Sequence, residues 1–252
     1  MAIFPQPNPP GASETTSAAP VLEAMKAPRL TADIPTQVKD PQLVERRRRQ
    51  IIDAAVRLFI ANGFHKTTTR QIARKADISI GALYEYVASK EDVLYLVCDS
   101  IHSELERMVS RVMAQAGDGR SNTLTEILRA YFQVCHRMSD FILLIYQETC
   151  ALPPQWQERV LANELRITNL FVAVLNRLAK SGHLASAHPR DIELAAHNIS
   201  VLGHMWVFRR WYFGRNYTIE TYIARQTDFI VRSLASPQHQ TRTAGRTPET
   251  AP

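Results

Sequence analysis

The sequence predicts an all-α protein with about nine helices, and three features of the chain support this fold class. Apolar residues recur at helical spacing from about residue 46 onward. Residues that cap helices precede several of these stretches, as Thr68 and Ser79 do. Glycines and prolines, which end and begin helices, lie between them. The predicted organisation is a small N-terminal domain of three helices followed by a larger helical bundle.

The first helix is predicted from Arg46 to about Asn62, and Gly63 ends it. Residues 1–40 precede it and are rich in Pro, Ala, Ser and Thr. Eight of the fourteen prolines lie at or before Pro41, so this segment is expected to be disordered.

Residues 67–92 predict two short helices joined by a tight turn and followed by the start of a third. Thr68 and Gln71 have the spacing of a capping box. Asp77 stands at the turn, where the residue must tolerate a left-handed conformation. Ser79 is placed to cap the second helix. This order is typical of a helix-turn-helix, whose second helix lies in the major groove of DNA.

Residues 46–95 resemble the DNA-binding domain of the tetracycline-repressor (TetR/AcrR) family of bacterial transcription regulators. Asp77 stands where the family usually has Gly, and Val87 stands where it usually has Phe. Neither substitution removes a group that faces DNA. The matching residues, in register, are Ile52-Asp53-Ala54-Ala55, Leu58-Phe59, Asn62-Gly63-Phe64, Thr68-Thr69, Ile72-Ala73, Ala76, Ser79, Gly81, Leu83-Tyr84, Tyr86 and Ser89-Lys90-Glu91.

The distribution of charge favours DNA binding. The formal net charge is +6, and residues 41–90 hold ten basic and four acidic residues, so the rest of the chain sums to zero. A localised basic excess favours contact with phosphates. Two interpretations of the run Arg46–Arg49 stay open, a solvated helix start and a contact with the DNA backbone.

The predicted DNA contacts lie on the two short helices and beside them. Ile80 and Ala82 are expected to contact bases through apolar groups, while Tyr84, Tyr86 and Lys90 are expected to hold phosphates. The full predicted set is Arg46, Thr69, Arg70, Ser79, Ile80, Gly81, Ala82, Tyr84, Tyr86 and Lys90.

From about residue 89 onward the sequence predicts helices only. The run Phe141–Tyr146 fits a buried strand by periodicity alone, but its helical neighbours favour a helix, for which Asp140 is a candidate cap. The predicted helices span about 90–115, 123–138, 140–152, 153–182, 189–212 and 218–236. The predicted domains are therefore a disordered tail (1–40), a helix-turn-helix DNA-binding domain (41–92), a helical effector-binding and dimerisation domain (93–236) and a second disordered tail (237–252).

The last two helices carry broad apolar stripes, which must be buried. The resemblance implies that the corresponding helices form a four-helix bundle with their copies in a second subunit. The alternative is that these residues form only the core of the monomer. The predicted dimer contacts are Ala195, Ile199, Leu202, Trp206, Tyr222, Phe229 and Ile230.

The resemblance also implies a small-molecule pocket among the middle helices. Its mostly apolar candidate lining indicates a lipophilic or aromatic effector, and plain core packing is the alternative. Arg137, Arg209 and Arg210 are candidates to pair with an acidic group, such as a carboxylate or the phosphates of an acyl-CoA. The candidate lining residues are Phe132, Cys135, Phe141, Tyr146, Phe171 and Trp206.

No residue pattern predicts a catalytic site, a metal site or a cofactor. Cys98, Cys135 and Cys150 lack metal-ligand spacing and fit buried thiols in a reducing cytoplasm, with a redox-sensing Cys as the alternative. We find no signal peptide and no apolar run long enough to cross a bilayer.

The resemblance implies a cytoplasmic, nucleoid-associated transcriptional regulator that is not an enzyme. We expect a repressor that binds a palindromic operator as a homodimer and is released by a small-molecule effector. Two alternatives remain open. One is an effector-independent DNA-binding or architectural protein. The other is an enzyme built on a helical bundle, which would need clustered carboxylates or histidines.

Overall fold

The computed structural model describes residues 34–115, 123–186 and 188–234, and the elements of regular structure in these ranges are helices. The predicted all-α fold class is confirmed. A turn of 3-10 helix, Thr149–Ala151, follows α6. The ten α-helices are α1 (Pro41–Asn62), α2 (Thr69–Lys75), α3 (Ile80–Tyr86), α4 (Lys90–Gln115), α5 (Thr123–Arg137), α6 (Ser139–Glu148), α7 (Pro154–Lys180), α8 (Pro189–Phe208), α9 (Arg210–Asn216) and α10 (Ile219–Leu234).

Helix α1 begins at Pro41, five residues before the predicted start. The carboxylate of Asp40 accepts a hydrogen bond from the backbone N–H of Gln42 at 2.9 Å, and Pro41 occupies the first helical position. The sequence analysis missed this Asp-Pro start signal. Gly63 ends the helix with a φ of 78°, as predicted.

The predicted disordered tails lie mostly outside the described residues, which leave out 1–33 and 235–252. Residues 34–40 are described, and they pack against the helix-turn-helix. Ile34 is buried, and the hydroxyl of Thr36 donates to the carbonyl of Glu85 at 2.9 Å. The prediction of disorder is therefore corrected for this segment.

The second half of the chain forms a helical bundle around α4 and α5. Helix α4 packs against α1, α5 and α7, and it runs without a break through the predicted domain boundary at residue 92. Helix α5 also packs against α8 and α10. Asp140 lies in the first turn of α6 and makes no cap, and its carboxylate pairs with Arg210 at 3.2 Å. The predicted helix from Pro189 to Tyr212 is interrupted at Arg209 and forms α8 and α9, which accounts for the tenth helix.

The tightest approach between α5 and α8 occurs where the ring of Tyr131 covers Gly203. A Cβ atom on Gly203 would overlap the ring and hydroxyl of Tyr131. The same ring packs edge-on against Phe171 of α7, with 4.7 Å between the ring centroids. Gly203 therefore permits three helices to meet around one buried tyrosine.

This contact predicts opposite effects of the same substitution at two helical glycines. Gly203→Ala forces Tyr131 out of place, so the free energy of unfolding should fall by about 1–3 kcal/mol. Gly214 of α9 has no atom within 4 Å of its Cβ position. Gly214→Ala should therefore leave the protein as stable, or stabilise it by up to about 1 kcal/mol through helix propensity. Urea unfolding of both variants tests this, and equal stability of the two would contradict it.

Candidate functional site

Helix α3 is held to the protein by one side only. Leu83 and Tyr86 share the face that is buried against the core. Ile80 and Tyr84 lie one turn apart on another face and are 39% and 44% exposed. The hydroxyl of Ser79 caps the helix by accepting from the N–H of Ala82 at 3.0 Å. A short capped helix is thus presented with its outer face free.

A groove runs between α2 and this outer face of α3. One part of it is lined by Arg70, Ala73, Arg74, Asp77, Ile78, Ser79 and Ile80. An adjoining part, which shares Arg70 and Ile80, is lined by Thr68, Thr69, Arg70, Ile80 and Tyr84. The hydroxyls of Thr69 and Tyr84 lie 3.2 Å apart and connect the two helices. The groove thus combines two guanidinium groups, hydroxyl groups, one carboxylate and apolar side chains.

Arg74 was missed by the sequence analysis. It lies one helical turn after Arg70 on the same face of α2, and that spacing was the signal that would have found it.

Nine of the ten predicted DNA contacts lie exposed or half-buried at the surface. They are Arg46, Thr69, Arg70, Ser79, Ile80, Gly81, Ala82, Tyr84 and Lys90. Tyr86 is different, because it is only 5% exposed and belongs to the core. The predicted phosphate contact of Tyr86 is corrected: residues two apart on a helix point in different directions, so Tyr84 and Tyr86 cannot both face DNA.

Lys90 is half-buried, and its ammonium group contacts the protein. Its ammonium group donates to the carbonyls of Phe64 and Thr67 at 3.1 Å each, and it lies 4.1 Å from the centroid of the Phe64 ring. An ammonium group has three donors. Two of them hold the loop between α1 and α2, which leaves one for the predicted phosphate contact.

Arg48 has a structural task that neither interpretation of the arginine run anticipated. Its guanidinium is buried, and it donates to the carbonyl of Tyr86 through Nε at 3.1 Å and through Nη2 at 3.0 Å. Nη2 also donates to the carbonyl of Ile34 at 2.7 Å. Burial lowers the pKa of Arg48, and the nearby carboxylate of Asp92 opposes that shift. Arg48 thereby ties α1 to the last residue of α3.

The predicted effector-pocket residues lie in the helical bundle. Phe132, Cys135, Phe141, Phe171 and Trp206 are buried in its apolar core, whereas Tyr146 is 48% exposed. Trp206 packs on Tyr222 with 5.1 Å between the ring centroids. Tyr146 instead packs edge-on against Phe208 at 4.7 Å. Five of the six predicted residues are thus part of the packed core of the bundle.

A chain of hydrogen bonds leads inward from Tyr146, and sequence reasoning did not find it. The rings of Tyr146 and Tyr131 place their hydroxyls 3.1 Å and 3.4 Å from Nδ1 and Nε2 of the buried His204. Tyr131 donates its own proton to the carbonyl of Ser200 at 3.1 Å. Nε2 of His204 must therefore carry the proton given to Tyr131, and Nδ1 must accept from Tyr146.

Glu164 of α7 lies beside this chain. Its carboxylate accepts from the hydroxyl of Ser200 at 3.2 Å and faces Nε2 of His102 at 3.4 Å. Burial favours the neutral acid, but the hydrogen bond from His102 and the interactions with His204 and Ser200 outweigh it and lower the pKa of Glu164 to about 2. A carboxylate stays ionised inside the bundle.

The predicted dimer contacts are only partly available at the surface. Four of them, Ile199, Trp206, Tyr222 and Ile230, are buried within the chain, so their assignment to a subunit interface is corrected. Ala195 and Leu202 are half-buried, and Phe229 is 63% exposed. Each stripe is wider than the face that the monomer buries. The exposed residues that were missed on α8 are Leu194 and Val201.

Cys98 and Cys135 are buried, and burial raises the pKa of each thiol to about 12. Cys150 is exposed, contrary to the prediction that all three thiols are buried. Within the described ranges, no group of three or more His, Cys, Asp or Glu side chains is placed to bind a metal. No helix among the described residues combines the length and apolar character that a membrane span needs.

Comparison with known proteins agrees with this geometry. The sequence model of the tetR family of bacterial regulatory proteins matches residues 51–95. The HTH-type transcriptional regulator HbdR from Aromatoleum sp. (strain CIB) is 26% identical over 210 residues, which are 82% of this chain and 89% of HbdR.

Two solved structures resemble about three quarters of the chain. A bacterial regulatory protein of the tetR family from Rhodococcus RHA1 superposes with a TM-score of 0.61 and 27% identity, over 76% of this chain and 98% of the other. The structure of AibR in complex with isovaleryl coenzyme A and operator DNA superposes with a TM-score of 0.58 and 17% identity, over 73% and 97% of the two chains. The second similarity is one of fold.

The fold and the exposed face of α3 define a DNA-binding transcriptional regulator of the helix-turn-helix class. The resemblance to the tetR family of bacterial regulatory proteins that the sequence predicts is confirmed, by the match at residues 51–95 and by regulators that are similar over most of the chain.

The buried His204 predicts how stability depends on pH. Burial lowers its pKa below the ordinary value of 6.5. Below that pH, His204 binds a proton in the unfolded chain but stays neutral in the folded protein. The free energy of unfolding should therefore decrease as the pH is lowered, by at most about 1.4 kcal/mol per pH unit for one proton. Glu164, with a pKa of about 2, stays ionised in the folded protein between about pH 7.5 and pH 5, and it adds to the slope only near the acid end of that range, where the unfolded carboxylate begins to bind a proton.

Urea unfolding across that range, with His204→Gln as the comparison, measures the effect. The variant should show a flatter pH dependence but retain some slope, because burial also lowers the pKa of His136. Parallel pH profiles for the variant and the parent protein would contradict the assignment.

Proposed function

We propose that this protein is a ligand-responsive transcriptional repressor. A homodimer binds a palindromic operator through its two α3 helices, and a small molecule in the helical bundle releases it. The observation that carries the proposal is the outer face of α3, with Ile80 and Tyr84 exposed beside the arginine-lined groove. Recognition of the major groove requires a helix whose inner face packs on the protein and whose outer face is exposed.

The groove supports separate roles for the residues around it. Ile80 and Ala82 offer apolar atoms to base edges, for example to thymine methyl groups. Arg70, Arg74 and Tyr84 offer donors to phosphates on either side. Thr69 and Ser79 flank the same surface. Gly81 has no side chain between α3 and the bases, which permits the closest approach.

Dimerisation is supported by exposed apolar residues on the two C-terminal helices. Leu194 and Val201 of α8 are 62% and 51% exposed, and Phe229 of α10 is 63% exposed. Both helices pack on α5 from within the chain, so their outer faces remain for a second copy. A twofold dimer would present its two α3 helices about one helical turn of DNA apart, near 34–36 Å.

The effector is proposed to be lipophilic or aromatic, with an acyl-CoA as a specific candidate. AibR, similar in fold, has been solved with isovaleryl coenzyme A and operator DNA. In this chain Tyr146 is half exposed, and its hydroxyl lies 3.1 Å from Nδ1 of the buried His204. Arg137 and Arg209 are exposed and available to phosphates. Arg210 is paired with Asp140.

Release is proposed to occur by a shift of population. If the effector fits best when the two DNA-binding domains cannot span both half-sites, binding favours that form. A differential affinity of about 3 kcal/mol changes operator affinity by about two orders of magnitude. In this proposal residues 41–92 read DNA and residues 93–236 dimerise and bind the effector, in the cytoplasm on nucleoid DNA.

An effector-independent DNA-binding protein is the second candidate. The close burial of five of the six predicted pocket residues favours it. A footprint on the promoter beside the protein's own gene separates the two candidates. The repressor should protect two half-sites, and isovaleryl coenzyme A or an aromatic acyl-CoA should remove the protection. Protection that no acyl-CoA or free acid changes would favour the second candidate, and no protection at all would exclude both.

Gly81 gives a specific test of the DNA-facing surface. A methyl group there would meet only the hydroxyl oxygen of Ser79 at 3.8 Å, so the fold accepts Gly81→Ala. The variant should be as stable as the parent protein, or up to about 1 kcal/mol more stable. Its operator affinity should fall about tenfold or more, about 1.4 kcal/mol, because the methyl group keeps α3 away from the bases. Fluorescence anisotropy with Gly214→Ala as control measures this, and unchanged affinity would count against close approach at Gly81.

The dimer surface is tested by two equally exposed apolar positions. Phe229→Asp should give a monomer, because a desolvated carboxylate would lie between the subunits. Leu161 of α7 is 59% exposed and lies outside the proposed interface, so Leu161→Asp should stay dimeric. Sedimentation velocity measures both. A dimeric Phe229→Asp protein, or a monomeric Leu161→Asp protein, would contradict the proposed surface.

A further inference from the structure

The carboxylate of Asp92 connects the helix-turn-helix to the helical bundle. Oδ2 accepts from the N–H groups of Ala88 and Ser89 at 3.0 Å each, and Ser89 Oγ accepts from the N–H of Asp92 at 3.0 Å. This is a capping box at the start of α4. Oδ1 accepts from Nε1 of Trp156, on α7, at 3.2 Å. One side chain thus bonds to the turn after α3 and to the bundle.

Arg48 completes the connection on the side of α3. It donates to the carbonyl of Tyr86, the last residue of α3, and interacts electrostatically with Asp92. The residues before and after the α3–α4 turn are therefore held by two oppositely charged groups that interact electrostatically. A displacement of Asp92 would therefore change the contacts of the residues at both ends of that turn.

Trp156 belongs firmly to the bundle. It is 9% exposed, lies in the first turn of α7, and stacks on Tyr95 of α4 with 4.2 Å between the ring centroids and 12° between the planes. Farther along, α7 carries Glu164, which bonds to Ser200 of α8. Helix α7 therefore runs from the interior polar chain to the indole N–H that Asp92 accepts.

We propose that the hydrogen bond from Trp156 to Asp92 couples the position of α7 to the orientation of α3, and that Asp92 and Trp156 are positioning residues for operator binding. This inference rests on the proposed function. A movement of the first turn of α7 pulls Asp92, and Asp92 carries the turn that ends α3. By reciprocity, operator binding at α3 must restrict the first turn of α7.

Two substitutions separate this coupling from plain packing. Trp156→Phe keeps an aromatic ring against Tyr95 and removes the N–H donor. Asp92→Asn keeps a carbonyl oxygen that can cap α4, but its amide group cannot fill both roles of the carboxylate. Trp211→Phe is the matched control, because Trp211 lies on α9 and is 57% exposed.

The test is hydrogen–deuterium exchange of the full chain, with and without an operator duplex recovered by selection from random DNA. In the parent protein and in Trp211→Phe, the operator should slow exchange both at residues 88–92 and in the first turn of α7, by about 5-fold or more. Random duplex of equal length should not slow exchange in α7. In Trp156→Phe, slowing at residues 88–92 should persist and slowing in α7 should be lost.

A double-mutant cycle gives the second readout. Trp156→Phe should change operator affinity in the parent background and change it less in the Asp92→Asn background, because one amide oxygen cannot both cap α4 and accept from Trp156. Thermal melts confirm that each variant is folded.

The inference is overturned if α7 exchange does not respond to operator in the parent protein. It is also overturned if α7 exchange responds equally in Trp156→Phe, or if the two substitutions act additively. If no duplex is selected at all, it is the proposed function that fails.

Discussion

The backbone of Asp77 determines how the rest of the DNA-facing surface is arranged. Its φ of 56° is the one positive φ of a non-glycine residue in the described part of the chain. Through it the chain reverses between α2 and α3, and the N–H of Ile78 reaches the carbonyl of Ala73 at 3.0 Å. With this turn, Leu83 falls into the core and Ile80 faces out. Asp tolerates the left-handed region better than most residues, so the usual glycine is not needed.

The residues that contact α3 lie on its buried side and leave its outer face exposed. Arg48 holds its last carbonyl, and Lys90 holds the loop that leads into α2 through Phe64 and Thr67. The bundle reaches the same region at two points. Trp156 donates to Asp92, and Glu148 of α6 accepts from the N–H of Phe64 at 3.2 Å. Rigid presentation of a short helix therefore depends on buried polar contacts from several elements.

Local signals were predictable from the sequence, whereas tertiary choices were not. The caps of Thr68 and Ser79 depend on residues three positions apart, and both form as predicted. Which of two tyrosines faces the core depends on how α3 docks, so Tyr86 was misplaced. Tertiary packing also decides which of the four arginines in the run is buried, and that residue is Arg48. It likewise decides which side of the broad apolar stripes of α8 and α10 the monomer buries. No pattern of spacing indicated that Glu164 and His204 would meet from different helices.

The central claim is that the outer face of α3 contacts bases in each half-site, with one α3 supplied by each subunit of a symmetric dimer. The most direct measurement replaces each thymine of the selected operator by uracil, one at a time, which removes only the 5-methyl group that an apolar side chain contacts. We expect a weaker affinity at symmetric positions of the two half-sites, about one helical turn apart, and with Ile80→Ala this loss should disappear at the positions that Ile80 contacts. If no position responds, or if Ile80→Ala shows the same losses as the parent protein, α3 does not read the operator as described.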